Sequence, residues 1–235
     1  MRAMIPKSVN RTTILLLILF AMTGVAAAPE PSGAQLSIRS WRVEDGLPQD
    51  QVRAICQTRL GYVWLATFDG LARFDGVRFV IFNRVNTPDL RSNIFTALYE
   101  AADGTLWIGS DGGLVRYREG RFTSFTTAQG LAVDMVSSIA GTANGEVMIA
   151  TRNQVQVLRD GTIQRAPIFS VPANRSIRQV YVSRAGDLWI ASNEGAVRIR
   201  GGQVRRFGAA EGVRTTNLLS ELEDQAGNFW FGTVG

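Results

Sequence analysis

The sequence predicts an all-β protein: a β-propeller of four-stranded antiparallel blades, about 41–43 residues per blade. Three recurring columns carry that expectation. Trp64, Trp107, Trp189 and Trp230 mark a repeat in which Met148 fills the vacant beat, at steps of 43, 41, 41 and 41 residues. A glycine precedes each mark by three residues (Gly61, Gly104, Gly145, Gly186, Gly227). A hydroxyl follows each mark by three (Thr67, Ser110, Thr151, Ser192, Thr233). A period of this length that carries whole segments with it is the mark of a repeat architecture.

Each copy supplies the same elements in the same order. The first is a short strand at Val52–Gln57, Phe95–Glu100, Val136–Gly141, Ile177–Val182 and Leu218–Glu223. Its third position (Ala54, Ala97, Ser138, Gln179, Ser220) is mostly small, which suits a crowded place near a central axis. A glycine turn follows, and pairs such as Asp103-Gly104 and Asn144-Gly145 suggest a tight hairpin in which both residues take positive φ. Next comes the marked strand, as in Leu106-Trp107-Ile108-Gly109-Ser110, whose apolar run reads as buried on both faces. A third strand (Leu114–Tyr117, Ala196–Ile199) and, after another glycine turn, a fourth (Phe122–Thr126, Val204–Phe207) complete the blade. The Trp column is expected between stacked blades, and the hydroxyl column in structural hydrogen bonds to a turn or a neighbouring blade.

The third copy departs from this pattern. Met148 replaces Trp, Gln154 stands where the others have Gly70, Gly113 and Gly195, and Pro167 and Pro172 interrupt the fourth-strand region. Different packing or a longer loop is expected there.

The first residues lie apart from the repeats. Arg2, Lys7 and Arg11 precede an apolar run, Ile14–Met22, and then small residues to Ala28. That pattern predicts a signal peptide over 1–27, a short linker over 28–35 and the propeller over 36–235. Cleavage after Ala26 or Ala27 avoids placing Pro29 first in the mature chain. The apolar stretch, about 15 residues, is short of the ~20 that span a bilayer. The formal charge of +5 falls to 22 basic against 20 acidic residues once this segment is set aside. Charge so nearly balanced gives no reason to expect a nucleic-acid partner.

Histidine is absent from all 235 residues. That excludes Ser-His-Asp and Cys-His catalysis, His-ligated metal and a phospho-accepting histidine within the chain. Most acids sit in turn positions, as at Asp69, Asp75, Asp111 and Asp160, where turn chemistry accounts for them. Cys56 is the single cysteine, so no internal disulfide forms, and its apolar column marks it as a core thiol. No catalytic, metal or cofactor-binding residue is predicted, and no cofactor.

The motifs Glu44-Asp45-Gly46-Leu47-Pro48, Gly104-Thr105-Leu106-Trp107-Ile108-Gly109-Ser110 and Asp111-Gly112-Gly113-Leu114, with Arg116-Tyr117 after them, resemble the two-component regulator propeller repeats. These repeats form the periplasmic sensor region of bacterial hybrid histidine kinases and some diguanylate cyclases. The resemblance covers about residues 36–235. It implies a periplasmic ligand-sensing propeller, the N-terminal part of a longer receptor anchored to the inner membrane by a downstream segment and homodimeric at full length. Its ligand is an unidentified small molecule or oligosaccharide. On this reading about four and a half blades are present, with Gly235 two strands into the fifth, while a seven-bladed ring needs roughly 290 residues. Alignment of Leu36–Arg42 with the fourth-strand region suggests that the N-terminus supplies an outer strand to a closing blade.

Two other functions remain open from the sequence: an exported scaffold that binds another protein, and a propeller lyase or hydrolase. Streptogramin-lyase-type propellers share Gly-x-Leu-Trp strands but resemble an enzyme that uses histidine, which this chain lacks. Ligand-binding residues are not identified. The longest irregular stretches, Asn83–Asn93 and Pro167–Arg178, are the candidate loops.

Overall fold

Nineteen short strands, all antiparallel to their neighbours, form five consecutive sheets in the computed structural model, which describes residues 38–165, 167–213 and 217–234. The predicted signal peptide and linker lie outside the described residues. The chain divides into two units, Met1–Ser40 and Trp41–Gly235, and the strands belong to the second.

Blade one contains β1 (Val52–Gln57), β2 (Val63–Thr67), β3 (Leu71–Phe74) and β4 (Phe79–Phe82). Blade two contains β5 (Phe95–Glu100), β6 (Leu106–Ser110), β7 (Gly113–Arg118) and β8 (Arg121–Phe125). Blade three contains β9 (Val136–Gly141), β10 (Val147–Thr151), β11 (Gln154–Arg159), β12 (Thr162–Ile163) and β13 (Phe169–Ser170). Blade four contains β14 (Ile177–Val182), β15 (Leu188–Ser192), β16 (Gly195–Arg200) and β17 (Gln203–Phe207), and blade five β18 (Leu218–Glu223) and β19 (Phe229–Thr233). Strand order within each complete blade follows the chain, the up-and-down meander of a propeller blade. The five first strands coincide with the predicted ones.

The middle strands β6, β10 and β15 are buried at every residue, because each blade is covered on both faces by its neighbours. Trp64 shows how the column works. It stacks on Phe82 of its own blade (centroids 5.5 Å apart) and lies 4.8 Å from Tyr117 of the next. Trp189 does the same with Phe207 at 5.3 Å and Phe229 at 4.2 Å. Trp64, Trp107, Met148 and Trp189 are buried, whereas Trp230 is 63% exposed. The hydroxyl column braces turns within its own blade: Thr67, Ser110, Thr151 and Ser192 each donate to the carbonyl three residues on, at 2.7–3.2 Å.

Turn chemistry corrects one expectation. The first hairpin of every blade closes through a five-residue loop, as in Ala101–Thr105, and only its glycine has positive φ. Gly104 N–H donates to the Ala101 carbonyl and Ala101 N–H to Thr105, a type I turn followed by a left-handed glycine. Asp103 instead accepts from the Thr105 N–H, which holds its carboxyl below the ordinary range. The two-residue turns with both residues at positive φ lie between third and fourth strands, at Glu119-Gly120, Asp160-Gly161 and Gly201-Gly202.

Blade three breaks its fourth strand in two. β12 pairs with the C-terminal end of β11 and β13 with its N-terminal end, with Gln164–Ile168 between them. Val155 pairs with Phe169 as Ala196 does with Phe207, so the aromatic keeps its place despite the insertion. Pro167 lies in the inserted stretch, where the absence of an N–H does no harm to a ladder.

The Asp-Gly-Leu motif is a linker. Val43–Asp45 forms a 3₁₀ turn closed by Gly46 at φ 103°, and the Asp45 carboxylate accepts from the Arg42 N–H. Thr127–Gln129 with Gly130 and Ala209–Glu211 with Gly212 repeat it. No strand forms over residues 38–42. Trp41 packs edge-on against Phe74 of blade one, 5.4 Å between centroids, so the expected outer strand of a closing blade is not seen at the described positions.

Candidate functional site

The first strands of the five blades line one groove of about 530 Å³. Its walls come from Arg53–Ala54, Thr96–Tyr99, Ser137–Gly141, Arg178–Val182 and Leu219–Ser220. A feature invisible in the sequence shapes it. Each first strand carries a β-bulge at its second residue, because its first and third residues pair with consecutive residues of the second strand. A bulge leaves one residue out of the ladder, bends the strand and re-aims its side chain. Here it sets apart Arg53, Thr96, Ser137, Arg178 and Leu219.

In the middle blades the bulge hydroxyls tie neighbours together. Thr96 Oγ1 donates to the Val136 carbonyl of blade three at 2.6 Å, and Ser137 Oγ reaches the Ile177 carbonyl of blade four at 3.5 Å. The third position does similar work. Ser138 Oγ accepts from Val180 N–H at 3.1 Å, and the Gln179 amide exchanges two bonds with the Glu221 backbone at 3.0 and 3.2 Å. Its small residues also face small partners on the second strand, as in Ala54 against Ala66 and Ala97 against Gly109. A Cβ on Gly109 would lie 3.0–3.1 Å from Val136, Ala97 and Thr96, so the tight fit is real.

Arg53 and Arg178 are the charged residues of the groove lining. Arg53 lies 5.0 Å from the Phe68 ring centre, and neither guanidinium has a carboxylate partner among the described residues. Two unneutralised forks beside a polar wall favour an anionic or polyhydroxylated ligand.

The candidate loops lie elsewhere. Asn83–Asn93 is organised by side chains: Asn83 accepts from Val85 and Asn86 N–H, and Asn93 from Arg84 N–H. Arg84 and Arg91 line hollows beside this loop, none of which includes a groove residue. Pro167–Arg178 supplies β13 and the linker to β14, so most of it is structural, although Arg178 at its end belongs to the groove. Cys56 is half-buried against blade two, and burial pushes its thiol up.

Two polar arrangements between blades were also beyond sequence reasoning. Arg59 reaches blade two, its guanidinium donating to the Ala101 and Ala102 carbonyls while its backbone N–H meets Glu100. Arg184 repeats this with Gln225 and Glu223. Their common spacing before the tryptophan was the available signal. Glu221 is the second. It faces inward where the corresponding residues are Leu98, Ile139 and Val180, is only 5% exposed, and has no side-chain hydrogen bond among the described residues. Burial pushes its carboxyl up to about 8. Among the described residues no cluster of three or more metal-ligating side chains occurs, and no helix is long and apolar enough to cross a membrane.

Repeated four-stranded blades around a common groove define a β-propeller. Residues 46–69 and 89–112 match the family described as two component regulator propeller. Solved structures of the same fold include an extracellular domain assigned to a hybrid two component system of B. thetaiotaomicron. It is 21% identical with a TM-score of 0.72, over 83% of this chain and 29% of that one. A second B. thetaiotaomicron extracellular domain, assigned to a one component system, is 19% identical with a TM-score of 0.67, over 78% and 26%. Virginiamycin B lyase from Staphylococcus aureus is 16% identical with a TM-score of 0.60, over 75% and 61%. At these identities the likeness is one of fold, and the chain spans under a third of the first two proteins. No curated protein matches the sequence.

Proposed function

We propose that this propeller is a ligand-sensing module of an exported bacterial signalling receptor, acting in the periplasm and passing ligand occupancy to an output domain across the membrane. The observation that carries the reading is the pair of matches to two component regulator propeller repeats, set in a fold shared with extracellular domains assigned to a hybrid two component system and to a one component system. The receptor's kinase or cyclase output, its membrane anchor and its homodimeric state belong to this proposal. The lyase of similar fold leaves a catalytic alternative, which the absence of histidine disfavours.

The central groove is the proposed ligand site. Arg53 and Arg178 project from blades one and four into one hollow, so a single bound anion or acidic oligosaccharide would be held by strands that are distant in sequence. Tightening that grip shifts the first strands against one another, a means of reporting occupancy. The test is calorimetric titration of the chain with acidic and neutral oligosaccharides. Binding of an acidic member, weakened at least tenfold by Arg53→Ala and by Arg178→Ala, supports the proposal. No binding by any member, or binding indifferent to both substitutions, removes the groove from consideration.

A further inference from the structure

The interface between blades three and four keeps Phe169 in the place of Phe82 but lacks the other rings found between blades one and two. Between blades one and two, Trp64 packs with Tyr117, and Tyr117 with Phe122, at centroid distances of 4.8 and 4.7 Å. Arg73, paired with Trp64 across β2 and β3, lies 5.7 Å from the indole. Strand register places the counterparts without ambiguity. Met148 stands for Trp64, and its cross-strand partner is Val157 where Arg73, Arg116 and Arg198 stand elsewhere. Ile199 and Val204, a cross-strand pair, stand for Tyr117 and Phe122.

Four substitutions therefore remove three rings and one guanidinium from a single place. Between blades two and three, by contrast, Trp107 and Phe125 keep their rings, and Leu158 and Ile163 close against them. A slot of about 620 Å³ remains between blades three and four, floored by Met148, Val157 and Leu188 and flanked by Ile168, Ile199 and Val204. Its floor is buried, while Ile168 and Val204 are about half exposed, so the slot is open at one side. Thr142 and the Glu146–Arg159 ion pair stand at its edge. It shares only Val182 with the central groove.

We propose that this slot binds a small, neutral, planar aromatic compound of about indole size. Shape argues for that class, since the same fold position holds an indole in four of the five copies. Chemistry agrees: a slot of apolar walls and a thioether floor gains from a flat ring, as a methionine sulfur does beside an aromatic edge. Small-molecule sites are commonly clefts of this kind, mostly apolar with a few polar groups at the edge. Without Arg at position 157 there is no cation at the floor to select an anion. The inference stands independently of the sensing role and of the Arg53–Arg178 groove.

Indole itself is the probe, titrated into the chain and followed by saturation-transfer difference NMR. Saturable binding in about the millimolar range or tighter is expected. Met148→Trp should fill the slot and weaken binding at least tenfold while raising Tm. Val204→Phe, at an exposed flank where folding is not at stake, should weaken it as well and decides the matter if Met148→Trp fails to fold. Absence of saturable binding to the unaltered chain, or binding unchanged in the folded variants, overturns the proposal.

Discussion

Tyr99 of blade two occupies the space in which a side chain on Gly141 of blade three would begin. The constraint is steric and not conformational, since Gly141 is not among the glycines at positive φ. Small size at one residue therefore secures the seating of a large ring from the neighbouring blade.

Gly141→Ala should accordingly destabilise the chain by about 1–3 kcal/mol, the usual cost of overpacking a close contact. Urea denaturation measures it. In a double-mutant cycle with Tyr99→Ala the cost of Gly141→Ala should largely vanish. Simple additivity of the two changes would contradict the contact.

Trp107 and Trp230 occupy the same column but differ in burial, at 6% and 63% exposure. Trp107→Ala should cost about 3–5 kcal/mol, as for a large aromatic removed from a packed interface. Trp230→Ala in the same chain should cost well under half of that. Equal losses of Tm would mean that the column acts within blades and not between them.

Ser110 is buried, donates to the Gly113 carbonyl and accepts from the Gly112 N–H. Ser110→Ala leaves a buried carbonyl short of a partner and should cost about 1–3 kcal/mol. Ser110→Thr keeps the hydroxyl, which three other copies of the column carry on threonine. The comparison of the two variants by thermal denaturation separates the bond from the volume.

Glu221 makes stability fall with rising pH. Its carboxyl is raised from 4.5 to about 8 in the folded chain, so the folded state binds more protons than the unfolded between those values. The contribution is complete below 4.5 and is lost as pH rises through about 8. Below 4 the opposite sign takes over. Asp224, lowered from 3.8 to about 2 by the Trp230 indole and Asn228, loses its contribution as pH falls through that range. Denaturation midpoints across pH 5–9 should decline for the unaltered chain and stay level in Glu221→Gln. A parallel decline in both would clear Glu221 of responsibility.

Much of the fold was legible because a propeller repeats its core in sequence. The five first strands, the tryptophan interfaces and the bracing hydroxyls follow from columns that any single blade would have hidden. The groove was not legible. Its bulged residues occupy the second place of each first strand and read Arg, Thr, Ser, Arg and Leu, a column with no shared chemistry. Alternation alone gives no sign that this residue leaves the ladder, because the bulge is decided by pairing with the second strand. The hairpin at Asp103-Gly104 departs from expectation for a related reason: the loop length, and not the dipeptide, selects the turn.

By itself, the amino-acid sequence determined the architecture, the period, the odd third copy and the exclusion of histidine chemistry. Those properties are local or periodic, and burial of an apolar strand on both faces leaves its mark in every copy. Only the tertiary structure decided what the columns do to one another. It brought Arg53 and Arg178 to one hollow, buried Glu221 without a partner, and placed Met148, Val157, Ile199 and Val204 around one slot. The physical reason is that a blade's faces are completed by its neighbours, so the residues that make a site lie about one period apart or more.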